Sequence, residues 1–311
     1  MNGSTIEQAR FHAMGCAVHV IVVNGPPGTT AKAQHQINHL ESIWSRFRPT
    51  SDISRCNAAT GQAVPVSPLT VTLVAHAVHG WQRTGGRFDP TVLTTLEALG
   101  YDRSFEQVGS SPYPPARAEA APGCAGIVVD PIGQTVTIPP GVRFDPGGIG
   151  KGLAADLVCQ ALVADGASGA CVNLGGDLRV VGDAPEDDGW IIGLEDPFDQ
   201  QAELARATMA DAGVATTSRT YRTWERAGVQ VHHLLDPATG APAWTDLASV
   251  TVVADSAAWA EVLAKAAFIA GPEAGAALIG REARSGVLVD DGGLARPLAG
   301  LDWEMVAPCL P

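Results

Sequence analysis

Apolar and polar residues alternate over residues 11–23, "FHAMGCAVHVIVV", and the stretch is rich in valine. Alternation with a period of two is typical of a strand with one buried face, so we predict a strand that ends before "GPPG". Over residues 30–47, and again over 68–81, the apolar positions recur at helical spacing. The chain is therefore predicted to begin with a strand and two helices, with a polar loop at 48–62 between the helices.

The rest of the chain also contains both segments with the periodicity of strands and segments with the periodicity of helices. Residues 105–123 are rich in Pro, Ser and Ala and are expected to form a surface excursion. The segments "GIVVD" and "TVTIP" predict a hairpin, residues 151–165 a helix, and "ACVNLGGDLRVVG" two strands around a glycine turn. Near the end of the chain we predict the strand "SVTVVAD", a helix over 256–269 and the strand "GVLVDD".

These elements lack the regular strand–helix–strand alternation of a parallel sheet, and no repeat of 20–50 residues is present. We therefore predict the α+β class, with mixed sheets packed against helices in a single compact unit. The chain contains no linker that would separate independent domains.

Composition narrows the possible partners. The chain has 311 residues and a net charge of −13, which argues against nucleic acid or an anionic membrane as a partner. It contains no long apolar window and its N-terminus lacks the pattern of a secretory signal, so we expect no membrane insertion and a cytoplasmic location. Six scattered cysteines, Cys309 among them, without a C-x-x-C pair argue against structural zinc.

The stretch "FDPGGIGKGLAADL", residues 144–157, resembles a phosphate loop. It is not a Walker A loop because position 152 is glycine, and it lacks G-x-G-x-x-G spacing. Its glycines would let a ligand approach the backbone, and a helix N-terminus beside Lys151 would suit an anion. The alternative is a tight turn with Lys151 in solvent, and this segment alone does not decide between them.

Three other segments combine glycine turns with polar residues. They are "GGRFDPT" (85–91), "NLGGDLRVVG" (173–182) and "VHHLLDPATG" (231–240). Each also has a purely structural explanation, because Asp-Pro is a common turn former and a histidine beside apolar residues often has a structural role.

Together these segments, in this order, resemble the ApbE family of FAD:protein FMN transferases. The matching pieces are "FHAMGC", "ESIWSRFRPTSDISRCN", "GGRFDPTV", "FDPGGIGKGLAAD", "VNLGGDLRVVG", "GVATTSRTYRTW", "HHLLDPATGAP" and "SVTVVADSAAWAEVLAKAAFIAG". The resemblance implies an ApbE-like flavin-transferase domain over 11–275, completed by a C-terminal strand segment over 276–311.

The resemblance also implies a reaction. FAD would be bound, a threonine hydroxyl of an acceptor flavoprotein would attack its pyrophosphate, and FMN would become linked to that threonine through a phosphoester bond while AMP leaves. Two other activities stay open from the sequence. One is FAD binding without transfer, for storage, delivery or sensing, and the other is FAD pyrophosphatase activity that yields FMN and AMP.

The family's functional positions map onto residues of this chain. Those implied to contact FAD are Met14, Arg87, Phe88, Asp89, Gly147, Lys151, Leu153, Asp177, Thr217, Ser218 and Leu235. The backbone carbonyl of Gly150 is implied to bind Mg²⁺. His233 is the candidate general base, although it could instead only brace the turn at Asp236.

The sequence departs from the family where an Asp and a Thr four residues later hold Mg²⁺, because Glu261 and Lys265 stand there. An ammonium group has no lone pair to offer a metal. Lys265 could act as a built-in cation beside a catalytic Glu261, Mg²⁺ could shift onto Glu261 with water ligands, or the site could bind FAD without transfer. The plainest alternative is an i,i+4 ion pair on a helix surface.

Overall fold

A computed structural model describes residues 4–114, 118–186 and 188–306. Cys309, residues 307–311 of the predicted C-terminal segment and residues 115–117 of the predicted excursion lie outside the described residues. The chain groups into two compact units, whereas the sequence predicts a single one. The first unit combines Met1–Ile37, Lys151–Thr220 and Thr245–Pro311, and the second combines Asn38–Gly150 and Tyr221–Trp244. The domain bounds 11–275 and 276–311 stay predictions.

The described residues form strands and helices in the following order. The strands are β1 (Ile6–Ala13), β2 (Cys16–Val23), β3 (Ala63–Pro65), β4 (Val128–Asp130), β5 (Thr135–Thr137), β6 (Gly169–Leu174), β7 (Asp177–Gly182), β8 (Trp190–Glu195), β9 (Glu203–Met209), β10 (Ala212–Ser218), β11 (Thr223–Arg226), β12 (Val229–His232), β13 (Leu247–Ala254), β14 (Ser285–Asp290), β15 (Ala295–Pro297) and β16 (Glu304–Met305). The helices are α1 (Thr29–Trp44), α2 (Asp52–Ala58), α3 (Pro68–Arg83), α4 (Leu93–Ala98), α5 (Gly150–Ala164), α6 (Ala257–Ala270) and α7 (Pro272–Glu282).

The first unit is built on an eight-stranded sheet with the order β1-β2-β6-β7-β10-β13-β14-β15. Its strand pairs are antiparallel throughout, and β13 is buried along its whole length. A smaller antiparallel sheet, β16-β9-β8, belongs to the same unit. The second unit contains the sheets β3-β5-β4 and β11-β12. Antiparallel sheets combined with helices confirm the predicted α+β class.

Most predicted elements are present. The sequence did not predict helices α4 and α7 or strand β9, and two further segments differ locally from their prediction. The strand predicted over 11–23 is a hairpin, because Met14 and Gly15 adopt φ values of 53° and 68° and form a two-residue turn. The loop predicted over 48–62 contains α2, whose N-terminus is capped by the Ser51 side chain, 3.0 Å from the N–H of Ser54.

Helices α5 and α6 are fixed against each other by two features of α5. A Cβ on Gly152 would lie 2.6 Å from the carbonyl carbon of Ala257 and 2.8 Å from the nitrogen of Ala258, so only glycine permits this close approach. The Asp156 carboxylate accepts hydrogen bonds from the backbone N–H groups of the same two residues, at 2.8 and 2.9 Å. Asp156 thereby satisfies N–H groups that the first turn of α6 leaves without helical partners.

Within the described residues, no helix combines the length and the apolarity that crossing a bilayer requires.

Candidate functional site

The candidate residues fall into two groups, one in each unit. The first unit carries Met14, Lys151, Leu153, Asp177, Thr217, Ser218, Glu261 and Lys265. The second carries Arg87, Phe88, Asp89, Gly147, Gly150, His233 and Leu235.

Two lysines and two carboxylates of the first unit form a charge cluster of Lys151, Asp177, Glu261 and Lys265. The ammonium of Lys151 pairs with Asp177 and lies 3.5 Å from Oε1 of Glu261. The ammonium of Lys265 lies 3.1 Å from the same Oε1. The other carboxylate oxygen of Glu261 accepts a hydrogen bond from the backbone N–H of Gly152 at 2.9 Å. All four residues are candidates from the sequence, but of their mutual contacts only the Glu261–Lys265 pair was an expected alternative.

Burial differs between the two signs of charge in this cluster. The side chains of Glu261 and Asp177 are 1% and 3% exposed, whereas both lysine side chains are 18% exposed. Burial by itself would raise the pKa of Glu261, but the ammonium groups of Lys151 and Lys265 and the N–H of Gly152 outweigh it and hold that pKa below its ordinary value. The predicted surface ion pair is therefore present as a pair, but its carboxylate is buried.

Two hairpin turns bring other candidates to the same end of the sheet. Asp177 follows the turn Gly175–Gly176, where both residues have positive φ. The N–H of Gly175 donates to the carbonyl of Ala17 at 3.0 Å, next to the turn that contains Met14. Met14 is half-buried and its positive φ is rare for a residue with a side chain.

Thr217 and Ser218 lie at the C-terminal end of β10, and both are buried. The hydroxyl of Ser218 lies 3.2 Å from the carbonyl of Ala248 and 2.9 Å from the hydroxyl of Thr220. The hydroxyl of Thr217 is buried without a hydrogen-bond partner among the residues that the structure describes. An unsatisfied buried hydroxyl is costly, so Thr217 is suited to bind a ligand at this position.

In the second unit, Arg87, Phe88 and Asp89 follow a turn of two glycines with positive φ. Arg87 is exposed, whereas Phe88 and Asp89 are buried. Oδ1 of Asp89 accepts hydrogen bonds from the N–H and the hydroxyl of Thr91, at 2.8 and 2.6 Å. Burial raises the pKa of Asp89 above its ordinary value, against the effect of these hydrogen bonds. The carboxylate holds its own turn together.

The glycine loop is organised by Asp145, which is not among the candidate residues from the sequence. Oδ1 of Asp145 accepts a hydrogen bond from the N–H of Gly147 at 2.9 Å and lies 3.5 Å from Nε of Arg46. Gly147 is exposed, and Gly150 is buried as the first residue of α5. The acid at the start of an Asp-Pro-Gly-Gly turn was the available signal for this role. Leu153, in the next turn of α5, is buried.

His233 directly follows β12 and is half-buried. Its neighbour His232 is fully buried and packs edge-on against Trp244, with ring centroids 4.8 Å apart. Leu235 belongs to a buried cluster of this unit that also contains Trp224. The Asp236 turn is closed by its own hydrogen bonds, because the carboxylate accepts from the N–H of Ala238 at 2.9 Å.

Comparison with known proteins identifies the family of this chain. The model of the ApbE family matches residues 14–288, which is most of the chain. The chain belongs to the ApbE family.

Individual ApbE proteins agree with that match over most of their length. The FAD:protein FMN transferase of Treponema pallidum is 32% identical over 263 residues, covering 78% of this chain and 71% of the relative. The FAD:protein FMN transferase of Vibrio cholerae is 30% identical, covering 85% and 81% of the two chains. The crystal structure of the ApbE protein of Thermotoga maritima superposes with a TM-score of 0.84 at 26% identity, over 95% and 97%.

The Mg²⁺ ion that the ApbE resemblance implies does not fit the residues of this chain. Mg²⁺ requires a near-octahedral shell of oxygen atoms at about 2.0–2.1 Å. Both oxygens of Glu261 are already engaged by N–H or ammonium groups, and Lys265 offers hydrogen-bond donors only. Among the described residues, no group of three His, Cys, Asp or Glu could hold a metal ion.

Proposed function

We propose that this protein is an FAD:protein FMN transferase, which binds FAD and transfers FMN to a threonine of an acceptor flavoprotein with release of AMP. The observation that carries the proposal is the ApbE family match over residues 14–288, together with curated transferases that are 30–32% identical. The lysines of the charge cluster support it because FAD carries an anionic pyrophosphate.

For phosphoryl transfer, the protein mainly has to position the reacting groups and neutralise their charge. In phosphoryl transfer, catalysis depends mainly on alignment of the attacking and leaving oxygens and on neutralisation of the charge that develops. We assign the lysines and Thr217 of the first unit to the phosphates of FAD. Met14, Arg87, Phe88, Asp89, Gly147, Gly150, Leu153, Asp177, Ser218 and Leu235 are the remaining candidate contacts.

His233 is the candidate general base that accepts the proton of the acceptor threonine. Its position at the end of β12 and its partial exposure support this role, since a base must be reachable by the acceptor. A cytoplasmic location for the protein and its acceptor stays a prediction from the sequence. Magnesium is left out of the proposed reaction because the donor set does not fit it.

The direct test combines the purified protein with FAD and candidate acceptors that carry a threonine in a Ser/Thr-Gly-Ala-Thr-like context. Intact mass spectrometry of the acceptor is expected to show a gain of one FMN, and chromatography is expected to show an equal amount of AMP. The matched control is the same acceptor with that threonine changed to valine, which removes the nucleophilic hydroxyl.

The same experiment separates the two alternative activities. Release of FMN and AMP without any acceptor would identify a pyrophosphatase, because water would then be the nucleophile. FAD that copurifies and is never cleaved would identify a binding protein. Either result, obtained across several acceptors, would contradict the proposed transfer.

A further inference from the structure

We infer that the ammonium group of Lys265 takes the place of a divalent cation in this protein, so that FMN transfer proceeds without added metal. The inference rests on the proposed function, because it concerns the charge presented to the pyrophosphate of FAD. It extends that proposal by naming the group that neutralises the phosphates. Four features of this chain support it.

The first feature is the state of the Glu261 carboxylate. Lys265 and Lys151 both approach its Oε1, at 3.1 and 3.5 Å, and the N–H of Gly152 donates to its Oε2 at 2.9 Å. Two positive charges therefore already lie where a metal ion bound to this carboxylate would have to be. A divalent cation would have to displace at least one of them and would be repelled by the other.

The second feature is that the carboxylates of the charge cluster are more deeply buried than its lysines. The two carboxylates of the charge cluster are almost completely buried, whereas both lysine side chains remain 18% exposed. The cluster contains two positive and two negative charges, so the formal charges balance. Its solvent-accessible side is nevertheless formed by the two lysine side chains, so a ligand that reaches this side meets lysine rather than carboxylate first.

The third feature is the buried hydroxyl of Thr217. Gly213 faces α6, because a Cβ there would lie 2.5 Å from Cα of Ala257. Side chains alternate along a strand, so Thr217 faces the same side, about 13 Å further along β10. Helix α6 packs on β10 and β13. It follows β13, which is antiparallel to β10, and the chain reverses direction between β13 and α6, so α6 runs in the same direction as β10. Lys265 is about 12 Å along α6 from Ala257, so it lies level with Thr217.

Because Thr217 and Lys265 lie at the same level, a ligand bound by Lys265 could provide the hydrogen-bond partner that the Thr217 hydroxyl lacks. It is buried, and no described residue accepts from it or donates to it. A phosphate oxygen held by Lys265 would satisfy the hydroxyl, which can donate one hydrogen bond and accept others. An ammonium and a hydroxyl at this level suit an anion rather than a metal ion, because the ammonium offers hydrogen-bond donors only.

The fourth feature is the use of lysine in this chain. The sequence contains twenty basic residues, and only Lys32, Lys151 and Lys265 are lysines. Lys32 forms an exposed ion pair with Asp165, whereas the other two lysines converge on one buried carboxylate. Lysine carries its charge as a compact ammonium, while arginine spreads it over a planar fork, so lysine is the closer substitute for a small cation.

The transfer step then balances without a metal. The threonine oxygen of the acceptor forms a bond to the phosphorus of the FMN half, and the bond from that phosphorus to the bridging oxygen breaks. The bridging oxygen leaves with the electron pair as part of AMP, and the threonine proton passes to the general base. Lys265 stabilises the negative charge that develops on the phosphate oxygens and takes no part in the proton transfer.

The test compares metal-free protein, prepared with EDTA, in buffers with EDTA or with MgCl₂. We expect wild-type transfer rates that agree within about twofold and no heat of Mg²⁺ binding by calorimetry. Lys265→Met is expected to lower the rate about 100-fold, as loss of one preorganised charge does, and to weaken FAD binding measured by flavin fluorescence. Lys32→Met, which removes an exposed lysine from the same unit, is the matched control and is expected to resemble wild type.

A second variant guards against misfolding. Glu261→Asp combined with Lys265→Thr restores the family's Mg²⁺ residues, and we expect its melting temperature and FAD affinity to rise when Mg²⁺ is added. A wild-type protein that transfers FMN only with Mg²⁺ would overturn the inference and leave the proposed function intact. A wild-type protein that transfers in neither buffer would contradict the proposed function. FAD binding that is independent of Mg²⁺ but lost in Lys265→Met would then still support the role of Lys265 as a substitute cation.

Discussion

Replacement of Gly152 by alanine tests the packing on which the charge cluster depends. The added Cβ would lie 2.6 Å from the carbonyl carbon of Ala257 and 2.8 Å from the nitrogen of Ala258. Both are backbone atoms at the start of α6, held by hydrogen bonds to Asp156, so they cannot move aside as a flexible side chain would. Overpacking of this kind costs up to about 3 kcal/mol. The better helix propensity of alanine offsets about 1 kcal/mol of that cost.

The expected result is therefore a net loss of about 2 kcal/mol in the free energy of unfolding, the difference between these two terms. The measurement is the thermal unfolding midpoint by circular dichroism. The matched control is Gly280→Ala in α7, where the new Cβ meets nothing within 4 Å. There the same change should stabilise the protein by about 0.5–1 kcal/mol. A Gly152→Ala protein that melts at or above the wild-type midpoint would refute the reasoning.

Other variants probe the charges and the base. His233→Ala should lower the transfer rate by about 10²–10⁴-fold at unchanged FAD affinity in single-turnover assays, whereas loss of FAD binding would speak against a base. The pKa of Glu261 lies below its ordinary value of 4.5, so its charged form contributes stability that is fully present above about pH 4.5 and is lost as the pH falls through the folded-state pKa. Glu261→Gln should therefore melt lower at pH 7 and depend less on pH below 4.5, and parallel melting profiles would contradict this. A double-mutant cycle of Lys151→Met and Asp177→Asn should give a coupling energy of about 0.5–3 kcal/mol in unfolding, and simple additivity would show that the pair contributes nothing.

Much of the fold follows from hydrophobic periodicity, and the exceptions have local causes. Helices α1, α3, α5 and α6 repeat their apolar positions over several turns, which is why the sequence predicts them. Helix α2 has seven residues, too few for a period to show, and only the cap at Ser51 marks it. The hairpin turn at Met14 was missed because a methionine at positive φ is not among the usual turn residues.

The residues of the candidate site could be predicted from the sequence, but their burial and their contacts with one another could not. Glu261 and Lys265 are spaced as an ordinary surface ion pair of a helix, and nothing in that spacing indicates that Glu261 is buried. Its burial and its approach to Lys151 depend on the contact between α5 and α6, which a lone glycine permits. In the sequence, the only sign of this contact is Gly152, and a glycine there could equally have allowed a ligand to approach the backbone.

The hydrogen bond from Gly152 to Glu261 spans 109 positions of the chain, and Asp156 reaches over a similar distance to α6. Contacts between such distant segments form late, because loop closure must come before they contribute any stability. A nascent chain that has not yet synthesised α6 thus has Lys151 and Asp177 but lacks Glu261 and Lys265. The ability to hold FAD should therefore appear only after α6 has been synthesised and has packed against α5.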